Sequence, residues 1–71
     1  MWHVYICDKN GQLYTGITTD LKHRMSQHNA SLLYSESHIN KVEAAKRELQ
    51  IKGWRREKKL ALIQESKVSL S

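Results

Sequence analysis

The chain of 71 residues contains no proline and only one cysteine, Cys7. A single cysteine excludes an internal disulfide, which is typical of proteins in a reducing compartment. Without proline, low-complexity tracts or internal repeats, the sequence offers neither a linker nor a second domain. It also lacks an apolar run long enough for a membrane span or a secretory signal. We therefore expect one small cytoplasmic domain with no membrane association.

Acidic residues are fewer than basic ones, with 7 Asp and Glu against 12 Lys and Arg and a formal net charge of +5. A compact basic domain favours an anionic partner, of which nucleic acid is the commonest. The alternative is a basic surface that serves only solubility. A chain this short has a thin core, and its size leaves room for a homodimer or a protein partner.

A turn signal lies near the N-terminus. The dipeptide Asn10-Gly11 separates residues 2–7 from residues 13–18, two runs rich in β-branched and aromatic side chains. This combination predicts a β-hairpin with a type I′ turn. Directly opposed residues of such a hairpin share a face, and neighbours along each strand alternate between faces.

The register set by this turn brings two tyrosines together. Tyr5 lies opposite Gly16 and Cys7 lies opposite Tyr14, so the phenols of Tyr5 and Tyr14 become diagonal neighbours on one face. Gly16 leaves space beside Tyr5 because it has no side chain. The opposite face collects four apolar side chains and is the predicted core side of the sheet: Val4, Ile6, Leu13 and Ile17.

The hairpin is followed by a predicted helix over residues 20–29, for which Thr19 is the expected N-cap. Arg24 and His28 are four residues apart and share a face of this helix close to the sheet. They are either site residues or ordinary polar residues at the margin of a helix. A short third strand is predicted over residues 31–35.

The second half of the chain contains two more helix signals. Asn40, with Glu43 at the third helical position, predicts the start of a second helix that Gly53 closes. A last helix is predicted over residues 55–64. The tail over residues 65–71 is expected to fray.

The second helix contains a carboxylate in an unusual position. At about 100° per residue, Glu48 and Lys52 fall within the apolar half of the helix. A carboxylate there must be paired, hydrogen-bonded, bound to a metal or exposed in a cleft. An ion pair between Glu48 and Lys52 is the structural alternative to a metal site. The apolar half contains Val42, Ala44, Ala45, Leu49 and Ile51.

Other candidates for chemistry are weak. His3, His23 and His38 show no metal-ligand spacing with Cys7, so a structural zinc site is not expected. Cys7 shares the tyrosine face, but no base is placed beside it that would make it a nucleophile.

Together, these positions resemble the GIY-YIG nuclease superfamily, most closely its small stand-alone bacterial members, and are similar to the N-terminal domain of the excision-repair nuclease. The two tyrosine motifs read His3-Val4-Tyr5 and Tyr14-Thr15-Gly16, and Arg24 follows at the family's position. His28 matches a position that is histidine or tyrosine in many members. Residues 43–54 look like the helix that supplies the metal-binding glutamate, which maps to Glu48.

The resemblance implies a fold and an activity. It implies an α+β sandwich over residues 1–64, with a small three-stranded antiparallel sheet flanked by about three helices. The implied activity is endonucleolytic hydrolysis of DNA phosphodiester bonds, in repair or recombination. A divalent metal, Mg²⁺ or Mn²⁺, would be bound by Glu48.

The resemblance also implies a catalytic role for each matching residue. Arg24 would stabilise charge on the phosphoryl oxygens. Either Tyr5 or Tyr14, with His28, would orient or deprotonate the attacking water. Eight basic residues are candidates for contacts with the DNA backbone, or else serve solubility: Lys22, Lys46, Arg47, Lys52, Arg55, Arg56, Lys58 and Lys59.

Two departures from the family pattern leave a second class of function open. His3 replaces the glycine of the first motif, and Asn29 leads almost directly into the third strand, where relatives usually have a longer segment. Loss of a loop that contacts the substrate would favour a nucleic-acid-binding module with little or no catalysis. Such a module would need no metal and would bind with a steep salt dependence.

Overall fold

The computed structural model of the protein describes residues 1–68, with the side chains of residues 28, 67 and 68 left out. Three strands form one antiparallel sheet in the order β2-β1-β3, and three helices accompany it. This arrangement confirms the expected α+β fold. The elements in chain order are β1 (Trp2–Lys9), β2 (Gln12–Thr18), α1 (Leu21–His28), β3 (Ser31–His38), α2 (Lys41–Lys52) and α3 (Arg56–Val68).

The hairpin between β1 and β2 forms as its turn signal predicts. Asn10 and Gly11 have φ angles of 54° and 82°, and a type I′ turn requires positive φ at both central positions. The Gly11 N–H donates a hydrogen bond of 3.0 Å to Asp8 Oδ1. Tyr5 pairs with Gly16 and Cys7 with Tyr14, so the predicted register is confirmed.

The core lies on the predicted apolar face of the sheet. Val4 and Ile6 are completely buried there. They pack against Ala44 and Ile51 of α2 and Ile63 of α3, with Leu13 and Ile17 of β2 partly buried at the margin. The small core thus depends on a few side chains from distant parts of the chain.

The N-cap of α1 is Asp20, so the prediction of Thr19 is wrong by one residue. The Asp20 side chain accepts a hydrogen bond of 3.1 Å from the His23 N–H. The Asp20 N–H donates in turn to Thr18 Oγ1. This Thr18 contact holds Asp20 in the extended conformation of a capping residue. The helix ends at Asn29, which adopts the left-handed conformation with φ 51°.

β3 and α3 are both longer than the sequence predicts. β3 continues to His38 because Ser37 and His38 pair with the start of β1. α3 continues to Val68, since no glycine or proline interrupts it. The expected fraying from residue 65 stays a prediction, and residues 69–71 lie outside the described part. No helix in residues 1–68 has the length and apolar content needed to cross a bilayer.

The ends of α2 agree with the prediction. Asn40 Oδ1 accepts a hydrogen bond of 2.9 Å from the Glu43 N–H, and Gly53 is the C-cap. Both caps confirm the local signals that predicted this helix.

The buried face of α2 differs from the predicted one. Ala44 and Ile51 are completely buried, whereas Val42 and Leu49 are 61% and 69% exposed. The apolar pattern omitted Arg47, which turns inward because it forms an ion pair with Glu36 of β3. The rotation of α2 therefore depends on a polar contact as well as on apolar burial.

Candidate active site

A cleft separates α1 from the tyrosine face of the sheet. Its volume is about 320 Å³. Tyr5, Cys7 and Tyr14 of the hairpin line one side, and Arg24 and Met25 of α1 line the other. Three predicted site residues, two tyrosines and one arginine, therefore lie around a single cleft.

The ring of Tyr5 lies directly over Gly16 on the neighbouring strand. A Cβ atom built on Gly16 would lie 2.6 Å from the Tyr5 hydroxyl oxygen and 2.8 Å from Cζ. These distances are shorter than van der Waals contact, so the ring occupies the space that any larger residue would fill. Tyr5 is only 8% exposed. Because Gly16 has no side chain, the Tyr5 ring can pack directly against the neighbouring strand.

Tyr5 lies in the electrostatic field of two helices. Burial raises the pKa of the Tyr5 phenol, and the positive charge of Arg24 opposes this rise. The nearby Cys7 and Glu48 raise the pKa further. The phenol is therefore neutral near pH 7. Its coupling to both Arg24 of α1 and Glu48 of α2 shows that these side chains lie within electrostatic range of the same hydroxyl.

Tyr14 has a different environment from Tyr5. It is 49% exposed, and its hydroxyl donates a hydrogen bond of 3.1 Å to Gln12 Oε1 on the same strand. The two tyrosines share a cleft, but one phenol is enclosed and the other is open to solvent.

Glu48 lies in the middle of the buried face of α2, between Ala44 and Ile51. Its side chain is 18% exposed, and its Oε2 lies 3.4 Å from Lys52 Nζ. The ion pair considered as the structural alternative is therefore present. Lys52 is 52% exposed, so its flexible side chain can leave this pairing at little cost.

The carboxylate of Glu48 suits a hard cation that keeps most of its water. Within residues 1–68, no three side chains of His, Cys, Asp or Glu cluster as a metal cage. Mg²⁺ is usually bound by one or two carboxylates with several waters and substrate phosphates. One partly buried carboxylate, Glu48, within electrostatic range of the Tyr5 phenol is compatible with that mode of binding.

The predicted basic residues fall into two groups: those that contact a side chain outside their own helix or are half-buried, and the remaining ones, which are exposed. Arg47 is engaged within the protein, and Lys58 Nζ lies 4.3 Å from the ring centre of Trp54. Lys59 is half-buried. The side chain of His28, the last residue of α1, lies outside the described part of the structure. The remaining basic candidates are exposed: Lys22, Lys46, Lys52, Arg55 and Arg56.

A polar cluster on β3 was missed by the sequence analysis. Glu36 Oε1 accepts a hydrogen bond of 2.6 Å from the Tyr34 hydroxyl. Glu36 Oε2 accepts one of 3.1 Å from Arg47 Nε and lies 2.6 Å from His38 Nε2. Burial alone would raise the pKa of Glu36, but these hydrogen bonds outweigh it and hold the pKa below its ordinary value. The i, i+2 spacing of the three β3 residues places them on one face of a strand and was the available signal.

Comparisons with known proteins found related sequences. The sequence pattern of the GIY-YIG catalytic domain matches residues 1–32. The UPF0213 protein of Staphylococcus saprophyticus is 39% identical over 77 aligned positions, which cover 89% of this chain and 94% of the relative. The UPF0213 protein of Halobacterium salinarum is 38% identical, covering 89% of this chain and all of the relative.

A solved structure shares the fold. The solution NMR structure of a UPF0213 protein from Bacillus halodurans has a TM-score of 0.64 and 30% sequence identity, covering 90% of this chain and 84% of that one. The alignment with the staphylococcal relative is longer than the 71 residues of this chain. That relative therefore contains residues that are missing here.

The tyrosine motifs lie on the hairpin matched by the GIY-YIG pattern, and similarity to the relatives extends over most of the chain. The fold is also shared with a solved relative. The chain belongs to the UPF0213 family, and its hairpin and first helix match the GIY-YIG catalytic domain.

Proposed function

We propose that the protein is a metal-dependent endonuclease that hydrolyses phosphodiester bonds of DNA. The observation that carries this proposal is the cleft in which Tyr5 and Tyr14 of the hairpin face Arg24 of α1. Glu48 of α2 lies within electrostatic range of the Tyr5 phenol. Ionisable side chains gathered around a cleft, with a phenol whose pKa is perturbed, are typical of functional sites.

Arg24 is suited to the charge of the reacting phosphate. Its guanidinium is permanently positive and planar, so it can donate two parallel hydrogen bonds to phosphoryl oxygens. Because Arg24 lines the cleft with both tyrosines, a phosphate bound there lies between the arginine and the phenols. Charge that develops on the phosphoryl oxygens during hydrolysis is then stabilised by a group already in place.

Tyr5 is the better candidate for handling the attacking water. Its enclosed phenol contrasts with the exposed phenol of Tyr14, and Arg24 favours its phenolate form. As a phenolate, Tyr5 accepts a proton from water while the water oxygen bonds to phosphorus and the leaving oxygen departs. The phenolate is scarce near pH 7 because burial raises the pKa of Tyr5. The rate should therefore increase with pH.

Glu48 would hold the divalent cation, Mg²⁺ or Mn²⁺. When bound, the cation supplies positive charge that polarises the phosphate and stabilises the leaving oxygen. Lys52, paired with Glu48 at 3.4 Å, would be available to contact a phosphate if Glu48 held the cation. The exposed basic residues of the helices would attract the DNA backbone.

One observation favours a binding module without catalysis. Only Asn29 and Ala30 separate α1 from β3, and the aligned staphylococcal relative has residues that this chain lacks. A missing loop would weaken the grip on substrate around the cleft. In that case the protein would still bind nucleic acid through its basic surface, without needing a metal.

A cleavage assay separates the two functions. Labelled single-stranded, duplex, flap and branched DNAs would be incubated with the protein in Mg²⁺, Mn²⁺ or EDTA. The tested variants are Glu48→Gln and Arg24→Gln, and the matched control is Glu43→Gln, an exposed glutamate on the same helix as Glu48. We expect metal-dependent cleavage that falls by more than about a hundredfold in both tested variants and persists in the control.

Cleavage that survives in EDTA, or that Glu48→Gln leaves unchanged, would contradict the proposed metal role. Salt-sensitive DNA binding by all four proteins without any cleavage would establish the binding module instead.

A further inference from the structure

The helix that carries Glu48 does not bury its most apolar side. At about 100° per residue, Val42 and Leu49 lie together on one side of α2, yet both are largely exposed. The side that faces the sheet contains Ala44, Glu48 and Ile51. Apolar burial alone would favour a helix rotated by roughly 100°, about one residue, from the observed orientation.

A polar contact opposes that rotation. Arg47 Nε lies 3.2 Å from Glu36 Oε1 and 3.1 Å from Glu36 Oε2. The Arg47 guanidinium also lies 5.2 Å from the ring centre of Trp54, within the range of a cation–π contact. The side chains of Arg47 and Glu36 are 27% and 18% exposed. Ion pairs shielded to this degree are less screened by water than those on an open surface.

The acceptor in this contact is itself held in place. Glu36 belongs to β3, which pairs along its length with the central strand. The Tyr34 hydroxyl and His38 Nε2 each lie 2.6 Å from one of its two oxygens. With both oxygens engaged, the carboxylate is an oriented partner for α2.

We propose that the Glu36–Arg47 ion pair, supported by the Trp54 ring, sets the rotation of α2 about its axis and thereby presents Glu48 to the site at Tyr5. Arg47 is a positioning residue, not a contact to DNA. A helix rotated to bury Val42 and Leu49 would turn Arg47 to solvent and move Glu48 to the other flank. The catalytic consequence rests on the proposed nuclease function, but the rotation does not.

The rotation can be measured without any activity assay. Methyl signals of Val42 and Leu49 would be recorded by NMR with a soluble nitroxide, which broadens exposed methyl groups. We expect strong broadening in the parent and in Lys46→Gln, an exposed neighbour used as control. In Arg47→Gln we expect both methyl groups to become protected.

The effect on the site would be measured by titrating each protein with Mn²⁺ and following paramagnetic broadening of the amide signals around Glu48. Arg47→Gln should weaken Mn²⁺ binding by about tenfold or more, as is usual when a residue that orients a metal ligand is removed. Arg47→Lys keeps the charge without the planar fork and should lie between the parent and Arg47→Gln.

A rescue variant distinguishes rotation from general loosening of the fold. Adding Val42→Gln and Leu49→Gln to Arg47→Gln removes the apolar attraction towards the other rotation. We expect the triple variant to recover most of the lost Mn²⁺ affinity. If Arg47→Gln does not fold, Glu36→Gln gives the same comparison, because it removes the charge and keeps the hydrogen-bonding shape.

The outcomes separate this inference from the proposed function. Unchanged methyl exposure in a folded Arg47→Gln, or no recovery in the triple variant, would overturn the positioning role. Absence of Mn²⁺ broadening near Glu48 in the parent would count against the proposed metal site, while the methyl measurements would still decide the rotation.

Discussion

Alternating residues of β1 point to the two faces of the sheet, one of which forms the core and the other the candidate site. On one face of β1, Val4 and Ile6 are completely buried under α2 and α3. On the other face, Tyr5 and Cys7 are 8% and 5% exposed beside a cleft that α1 only partly covers. Neighbouring residues therefore belong either to the core or to the candidate site.

This difference teaches how a very small domain can combine stability and chemistry. The apolar face gathers side chains from both later helices, so it supplies most of the burial that stabilises the fold. α1, with eight residues, packs beside the polar face, and the cleft between them leaves room for a substrate. Substitutions on the two faces should therefore affect different properties.

The largest expected effect distinguishes Ile6 from its neighbour Tyr5. Ile6→Ala removes a completely buried side chain and should lower the free energy of unfolding by about 2–5 kcal/mol, a large share of the stability of a domain this small. Tyr5→Phe keeps the ring and should change stability much less while abolishing cleavage. Urea unfolding followed by circular dichroism, together with the DNA cleavage assay, measures both.

The comparison of the two faces would break down if Tyr5→Phe unfolded the protein as readily as Ile6→Ala. Tyr14→Phe serves as the control on the same face, because its exposed hydroxyl bonds only Gln12 among the contacts described. It should change cleavage less than Tyr5→Phe.

Gly16→Ala should displace the phenol of Tyr5 without changing any catalytic group. The added Cβ would lie 2.6 Å from the Tyr5 hydroxyl, so the ring must move. We expect cleavage to fall by about a hundredfold, the usual result of moving a catalytic group by around 1 Å. Single-turnover cleavage of the best DNA substrate gives the measurement.

Gly11→Ala provides the contrasting control. Gly11 has φ 82° and nothing within 4 Å of an added Cβ, so alanine there strains the turn by about 1–2 kcal/mol without touching Tyr5. Equal losses of cleavage per folded molecule in the two glycine variants would show that Gly16 acts through general stability.

Thr15→Val should stabilise the protein slightly. The Thr15 hydroxyl oxygen is buried without a hydrogen-bond partner in the described part of the chain, and an unpaired buried hydroxyl costs about 1–3 kcal/mol. Valine has nearly the same shape, so we expect a gain of about 1 kcal/mol in the urea unfolding experiment. Thr19→Val, at an exposed position, is the control. A loss of stability in Thr15→Val would show that the hydroxyl is bonded in solution.

The smallest effect concerns pH and Glu36. The folded protein holds the pKa of Glu36 below the ordinary value of 4.5, so the unfolded chain takes up a proton first as pH falls. The resulting stabilisation is complete well above pH 4.5 and is lost as pH falls through the folded pKa. Unfolding free energies of the parent and Glu36→Gln, measured from neutral to acidic pH, should therefore converge in acid.

Glu43→Gln, at the exposed side of α2, removes a carboxylate outside the Glu36 cluster and is the matched control. A gap between the parent and Glu36→Gln that widened on acidification would contradict the sign of the Glu36 shift.

Local signals predicted much of the fold. The Asn10-Gly11 turn determined the pairing of Tyr5 with Gly16, because a two-residue turn leaves one register for the strands. Asn40 and Gly53 marked the ends of α2 for similarly local reasons. The predictions were wrong mainly at the ends of helices and strands. At the start of α1, two neighbouring residues, Thr19 and Asp20, could each act as the N-cap, and the structure uses Asp20.

The sequence alone also identified the candidate site residues, but it could not determine their geometry. Resemblance to a family selected Glu48, and its inward position in α2 had already marked it as unusual. The difference between an enclosed Tyr5 and an exposed Tyr14 depends on how α1 and α2 pack on the sheet. No local pattern contains that information.

The sequence by itself determined the hairpin, its register and the two alternating faces of β1, because these depend on interactions between residues close in the chain. Tertiary structure decided the rotation of α2 and the partner of Arg47, which lies eleven residues from Glu36. That pairing exists only when α2 is packed against β3. The apolar pattern of a helix predicts which of its residues are buried. An ion pair between two elements forms only if their packing brings both charged groups into contact, and the sequence pattern does not contain that information.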